Sequence, residues 1–103
     1  MIRFDWNADK AKENAKKHEG ITFEDAVLVF FDKWSIEDFD DEHSDFEEQR
    51  FTVVGLSGKQ LLRVTFTPVV DENEEEFIRI ITVRKAKGKE KEDYEKARNE
   101  FDR

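Results

Sequence analysis

Two histidines and no cysteine leave this 103-residue chain few side chains that change charge near neutral pH. His18 stands in "NAKKHEG", directly after Lys16 and Lys17 and two residues before Gly20. An imidazole beside an amine can take or give a proton in catalysis. A cation at that place can equally serve as the favourable end of a helix, because the last carbonyls carry partial negative charge. Both readings of His18 stay open on the residues alone. His43, in "DDEHSD", reads as a solvated loop residue, and the acids around it lack the regular spacing of a metal site.

Arginines form the second group. In "QRFTVVGL", "QLLRVTFTPVV" and "FIRIITVRK" the alternation of side chains puts Phe51, Val53, Leu62, Val64, Phe66, Ile78 and Ile80 on one sheet face. The opposite face takes Arg50, Arg63 and Arg79, one from each strand, and Val83 with them. Arg84 is five residues beyond Arg79, so it requires either a bulge or a position at the strand end. It opens "RKAKGKEK", whose Lys85 and Lys87 make a cationic strip suited to tracking phosphates. The chain has no glycine-rich phosphate loop, nucleophile elbow or zinc signature. An enzyme built from this chain would run on histidine, arginine, lysine and carboxylates, the tools of metal-independent RNA cleavage. A base removes the 2′-hydroxyl proton, an acid protonates the leaving 5′-oxygen, and cations stabilise the charge on phosphorus.

These groups need a scaffold, and the pattern specifies one. "IRFDW" alternates as a short strand. Asn7 is a good cap for a helix over "ADKAKENAKKH", closed by Gly20 in a left-handed cap. Thr22, followed by Glu24 and Asp25, opens a second helix with Phe23, Ala26, Val27, Phe30 and Phe31 at helical spacing. Trp34, Ile36 and Phe39 fit a short edge strand. Three strands follow, at 49–56, 60–70 and 77–85, the first two joined by a glycine-containing hairpin turn. The last helix, 89–101, carries Tyr94, Ala97 and Phe101 as a docking stripe. The expected fold is α+β: two N-terminal helices on an antiparallel meander of three to four strands, then a C-terminal helix, all in one domain spanning 1–103.

Charge is unevenly spread. The net charge is −8, yet residues 32–48 alone carry −8 and residues 71–76 another −5, leaving +5 on the rest. The positive groups gather in 10–17 and 79–91. With a screening length of about 8 Å at physiological salt, a basic face can act locally on an anionic molecule. The absence of cysteine and of any long apolar run fits a cytoplasmic protein.

Several stretches together resemble the BrnT family of type II toxin–antitoxin ribonucleases. They are "FDWNADKAKENAKKHEGITFEDAVLVFFD", "DEHSDFEEQRFTVVGLS", "LLRVTFT" and "IRIITVRKAKGKEKEDYE". The resemblance implies a RelE-like fold and RNA cleavage that arrests translation, with no metal or other cofactor. It implies neutralisation by a small ribbon-helix-helix antitoxin, whose complex with the toxin binds operator DNA. Carried over by position, it implies proton transfer by His18 or Lys17, and charge stabilisation by Arg50, Arg79 and Arg84. Arg63, Lys85 and Lys87 are expected to bind RNA. The alternative is a catalytically diverged scaffold of the same fold that docks a basic protein partner.

Overall fold

The computed structural model describes residues 2–101. Strand β1 (Arg3–Asp5) leads into helix α1 (Ala8–Lys17) and helix α2 (Phe23–Val29). Strands β2 (Ile36–Phe39), β3 (Phe51–Ser57), β4 (Gln60–Val70) and β5 (Glu76–Lys85) follow, and helix α3 (Lys89–Phe101) ends the chain.

Local chemistry sets these boundaries. Asn7 Oδ1 accepts from the N–H groups of Asp9 (2.9 Å) and Lys10 (3.1 Å), satisfying donors that the first turn leaves unpaired. Thr22 and Asp25 form a reciprocal capping box at the start of α2. After Val29, Phe30, Phe31 and Asp32 each donate to the carbonyl three residues earlier, so α2 tightens and stops. The end of α1 has the expected left-handed Gly20 and a second left-handed residue before it. His18 is the C-cap, and the residue after it, Glu19, takes the left-handed conformation (φ 56°), as does Gly20 (φ 79°). The Gly20 N–H closes the turn onto the Ala15 carbonyl at 2.8 Å.

The architecture is α+β, but among the described residues the sheet has five strands, not three to four, in the order β1-β5-β4-β3-β2. It is mixed: β1 pairs parallel to β5, while the other neighbours are antiparallel. Its core face, with Val53, Leu62, Val64, Phe66 and Ile80, is covered by Phe23, Ala26 and Val29 of α2. Each fully buried Phe, Leu or Val contributes about 1.5–3 kcal/mol. Val83 belongs to this core, fully buried, rather than to the opposite face. The cause is a bulge: Thr65 pairs with Thr82 but Phe66 pairs with Ile80, so Ile81 is out of step.

At the other side of the core, Asp32 ties the turn after α2 to both the sheet and α3. Its Oδ2 accepts from the Leu56 N–H at 2.7 Å and from the Tyr94 hydroxyl at 2.6 Å. Gly55 permits this approach: a β-carbon there would lie 3.0 Å from Val29 Cγ1 and 3.2 Å from Asp32 Oδ2. Tyr94 is buried as expected of the docking stripe, while the Phe101 side chain lies outside the described residues. Among the described residues no helix is long and apolar enough to cross a membrane.

Candidate active site

β1 covers β5 only from Phe77 to Arg79. Farther along that edge a side chain takes over. Buried Asn14 of α1 donates to the Val83 carbonyl (2.9 Å) and accepts from the Val83 N–H (3.0 Å), and its amide also donates to the Ile21 carbonyl (3.3 Å). An asparagine side chain carries both an acceptor and two donors, so it can stand in for a neighbouring strand's peptide group. This holds the last turn of α1, with Lys17 and His18, beside the end of β5.

Two open grooves meet there. One, of about 300 Å³, is lined by Lys17, His18, Glu19, Ile21, Arg84, Lys85 and Lys87. The other, of about 250 Å³, runs between α1 and the bulge and also has Lys17 and His18 in its wall. His18 is half-buried and Lys17 exposed. Among the described residues neither side chain has an ion-pair or hydrogen-bonding partner. Glu19, strained into the left-handed region, reaches across to Lys85 at 2.9 Å, which holds the Glu19 carboxyl below its usual pKa.

The bulge also sorts the arginines. Arg84 pairs in register with Arg63, and Arg79 pairs with Thr67 farther along, so all three project from the outer face. Two guanidinium groups side by side would repel, and Glu90 at the start of α3 lies between them. Its carboxylate receives both arms of Arg84 (2.9 and 2.8 Å), Arg63 Nε (3.2 Å) and the Lys87 N–H (3.1 Å). Hydrogen bonding from Arg84, opposed by partial burial, holds Glu90 below the ordinary carboxylate range.

Arg79 is engaged elsewhere. Asp5 of β1 accepts from its Nε (3.0 Å) and terminal nitrogen (3.2 Å), and this contact raises the Arg79 pKa. The strand from Arg79 to Arg84 spans about 16 Å. Arg50 precedes β3 and bonds Glu48 at 3.0 Å, and the same Glu48 acts on Arg79 through its charge. The residues singled out by sequence therefore divide in two. Lys17, His18, Arg84, Lys85 and Lys87 share one groove, with Arg63 joined to Arg84 through Glu90. Arg50 and Arg79 lie outside that groove, because a strand's length intervenes.

His43 is tied to Asp40 through Nδ1 at 3.0 Å and lies in the acidic loop. Among the described residues no set of three or more His, Asp or Glu is placed to hold a metal ion.

The charge asymmetry has a geometric form. The acidic segments 40–50 and 71–75 connect β2 to β3 and β4 to β5, and both lie at the sheet end where Phe51, Phe66 and Glu76 sit. From Glu76 to Arg84 is about 26 Å along the strand, roughly three screening lengths at physiological salt. The cationic groove is thus locally independent of the acids that dominate the total.

Two residues of this arrangement are not singled out by the sequence. Asn14 reads there as one more polar position of a charged helix, and Glu90 as an acid suited to a helix start. The one local hint at Asn14 is its residue type, since asparagine is a weak helix former in a helix interior. Its role follows only from the tertiary bonds.

A family model described as "Ribonuclease toxin, BrnT, of type II toxin-antitoxin system" matches residues 6–90. A comparison with curated proteins gives no match.

Proposed function

The chain belongs to the BrnT family of type II toxin–antitoxin ribonuclease toxins, and from that premise we propose that it cuts RNA without a metal ion at the groove around His18. The observation that carries this reading is the convergence of Lys17, His18, Arg84, Lys85 and Lys87 on one open groove. One of His18 and Lys17 takes the proton from the 2′-hydroxyl as its oxygen attacks phosphorus. The leaving 5′-oxygen receives a proton, for which an imidazolium at His18 is suited. Arg84, with Lys85 and Lys87, offsets the charge that builds on the phosphoryl oxygens. Arg63 supports Arg84 through Glu90, and Arg50 and Arg79 stand outside the reaction centre. Translation arrest, cytoplasmic action and a RelE-like fold over residues 1–103 belong to the same proposal. So do neutralisation by a ribbon-helix-helix antitoxin and operator binding through the complex.

A second reading has its own support: Arg50, Arg63, Arg79 and Arg84 are each held by a carboxylate. On that reading the molecule is a scaffold whose acidic end docks a basic protein. Incubation of purified protein with single-stranded RNA in EDTA separates the two. The nuclease reading expects cleavage, reduced by about tenfold or more in His18→Ala and Arg84→Ala. Cleavage equal in all three proteins removes the assignment of the groove. No cleavage, with tight binding to a basic protein, establishes the scaffold.

A further inference from the structure

The groove between α1 and β5 lies on the other side of His18 from Arg84, and the reaction described above makes no use of it. Its walls include Lys10, Glu13, Thr82 and the bulged Ile81. Lys10 and Lys17 stand two turns apart, hence on the same face of α1 and separated by about 10 Å. Among the described residues neither makes an ion pair, in contrast to the arginines of the sheet. Lys17 and His18 are common to both grooves, so the proton-transfer groups stand between two open channels. A cleaved strand needs that arrangement, since nucleotides continue on both sides of the scissile phosphate.

Glu13 gives this groove a different character from its neighbour. A carboxylate repels phosphate, but it accepts hydrogen bonds from the exocyclic amino group of a base. Ile81, half-buried and pushed out of register, offers apolar surface beside it. We propose that the α1–β5 groove is a nucleotide subsite next to the scissile bond. In it Lys10 holds a flanking phosphate, Ile81 lies against the base, and Glu13 selects a base that bears an amino group. The ligand class is a single-stranded RNA nucleotide with an amino-bearing base (cytosine, adenine or guanine), in preference to uracil. The assignment rests on the RNA-cleaving reading above.

Full-length protein and fluorescent 2′-O-methyl pentanucleotides of C, A or U, which cannot be cleaved, test it by anisotropy. Wild type is expected to bind C or A about threefold or more tightly than U, a modest preference for one hydrogen-bonded amino group. Glu13→Ala, at an exposed helix position, should remove that preference, whereas Lys10→Ala should weaken all three oligonucleotides alike. Lys10→Ala should also lower the salt slope by about 0.7, as expected for one lost phosphate contact on a single strand. Binding unchanged by both substitutions overturns the subsite while leaving RNA recognition intact. Failure of wild type to bind any oligonucleotide overturns the RNA reading and the subsite together. Binding of an acidic peptide instead, weakened by Lys10→Ala, makes the groove a protein site and overturns the proposal.

Discussion

The amide of Asn14 and the peptide unit of Val83 exchange two hydrogen bonds, 2.9 and 3.0 Å long. β1 ends at Asp5, opposite Arg79, so Asn14 completes an edge that would otherwise leave a buried peptide unpaired. Asn14→Ala orphans both groups of Val83, and each such loss costs about 1–3 kcal/mol. A total destabilisation of about 2–6 kcal/mol is expected in urea unfolding. A loss below about 1 kcal/mol would show that water replaces the amide at little cost.

Glu90 concerns acid stability. Its carboxyl lies below its ordinary pKa of 4.5, chiefly through Arg84. A depressed folded-state pKa means the stabilisation is present above the unfolded value and is lost as pH falls through the folded one. The urea midpoint of wild type should therefore drop as pH is lowered from about 4.5, and Glu90→Gln should show a shallower drop. Parallel pH profiles for the two proteins would contradict this.

Tyr94 is the only tyrosine, so its ionisation can be read directly by absorbance. Burial, with the hydrogen bond and charge of Asp32, pushes its pKa from 10.0 to about 12. The neutral phenol is favoured by folding, so this contribution is full below the unfolded value of 10.0 and disappears as pH rises through the folded one. Tyr94→Phe should cost about 1.5–3 kcal/mol at neutral pH, the range for a hydrogen bond to a charged group. A midpoint in the folded protein no higher than that of a free tyrosine would mean that the contact with Asp32 does not persist.

Gly55 is enclosed by Val29, Ser35 and Asp32. Gly55→Ala forces its new methyl to 3.0 Å from Val29 and 3.1 Å from the Ser35 β-carbon. Overpacking of this kind costs about 1–3 kcal/mol. Thermal unfolding is the measurement, and an unchanged or raised midpoint would show that α2 can shift to accept the methyl.

Legibility in the sequence follows interaction range. Asn7 and Thr22 announce the helix starts because caps are local, and the alternation through residues 60–70 marks β4 over its observed span. The spacing of Arg79 and Arg84 hints at a bulge, but its location at Ile81 depends on pairing with β4, and strict alternation misplaces Val83 for that reason. The parallel partnership of β1 with β5 joins residues from opposite ends of the chain, beyond any local pattern. Lys17, His18 and Arg84 are recognisable by type and motif. That Arg50 and Arg79 fall outside their groove follows from strand length, and the role of Glu90 follows from the approach of α3 to the sheet.

The placement of the two acidic loops, 40–50 and 71–75, at one end of the sheet sets how the molecule meets a polyanion as ionic strength changes. In about 0.01 M salt, fields reach about 30 Å, and an approaching RNA senses the whole anionic body. In about 0.15 M salt it senses only the nearer end, where the lysines stand. At still higher salt that attraction fades as well. The association rate in stopped-flow mixing should therefore climb, peak and decline across a salt titration, whereas a uniformly basic nuclease would only decline.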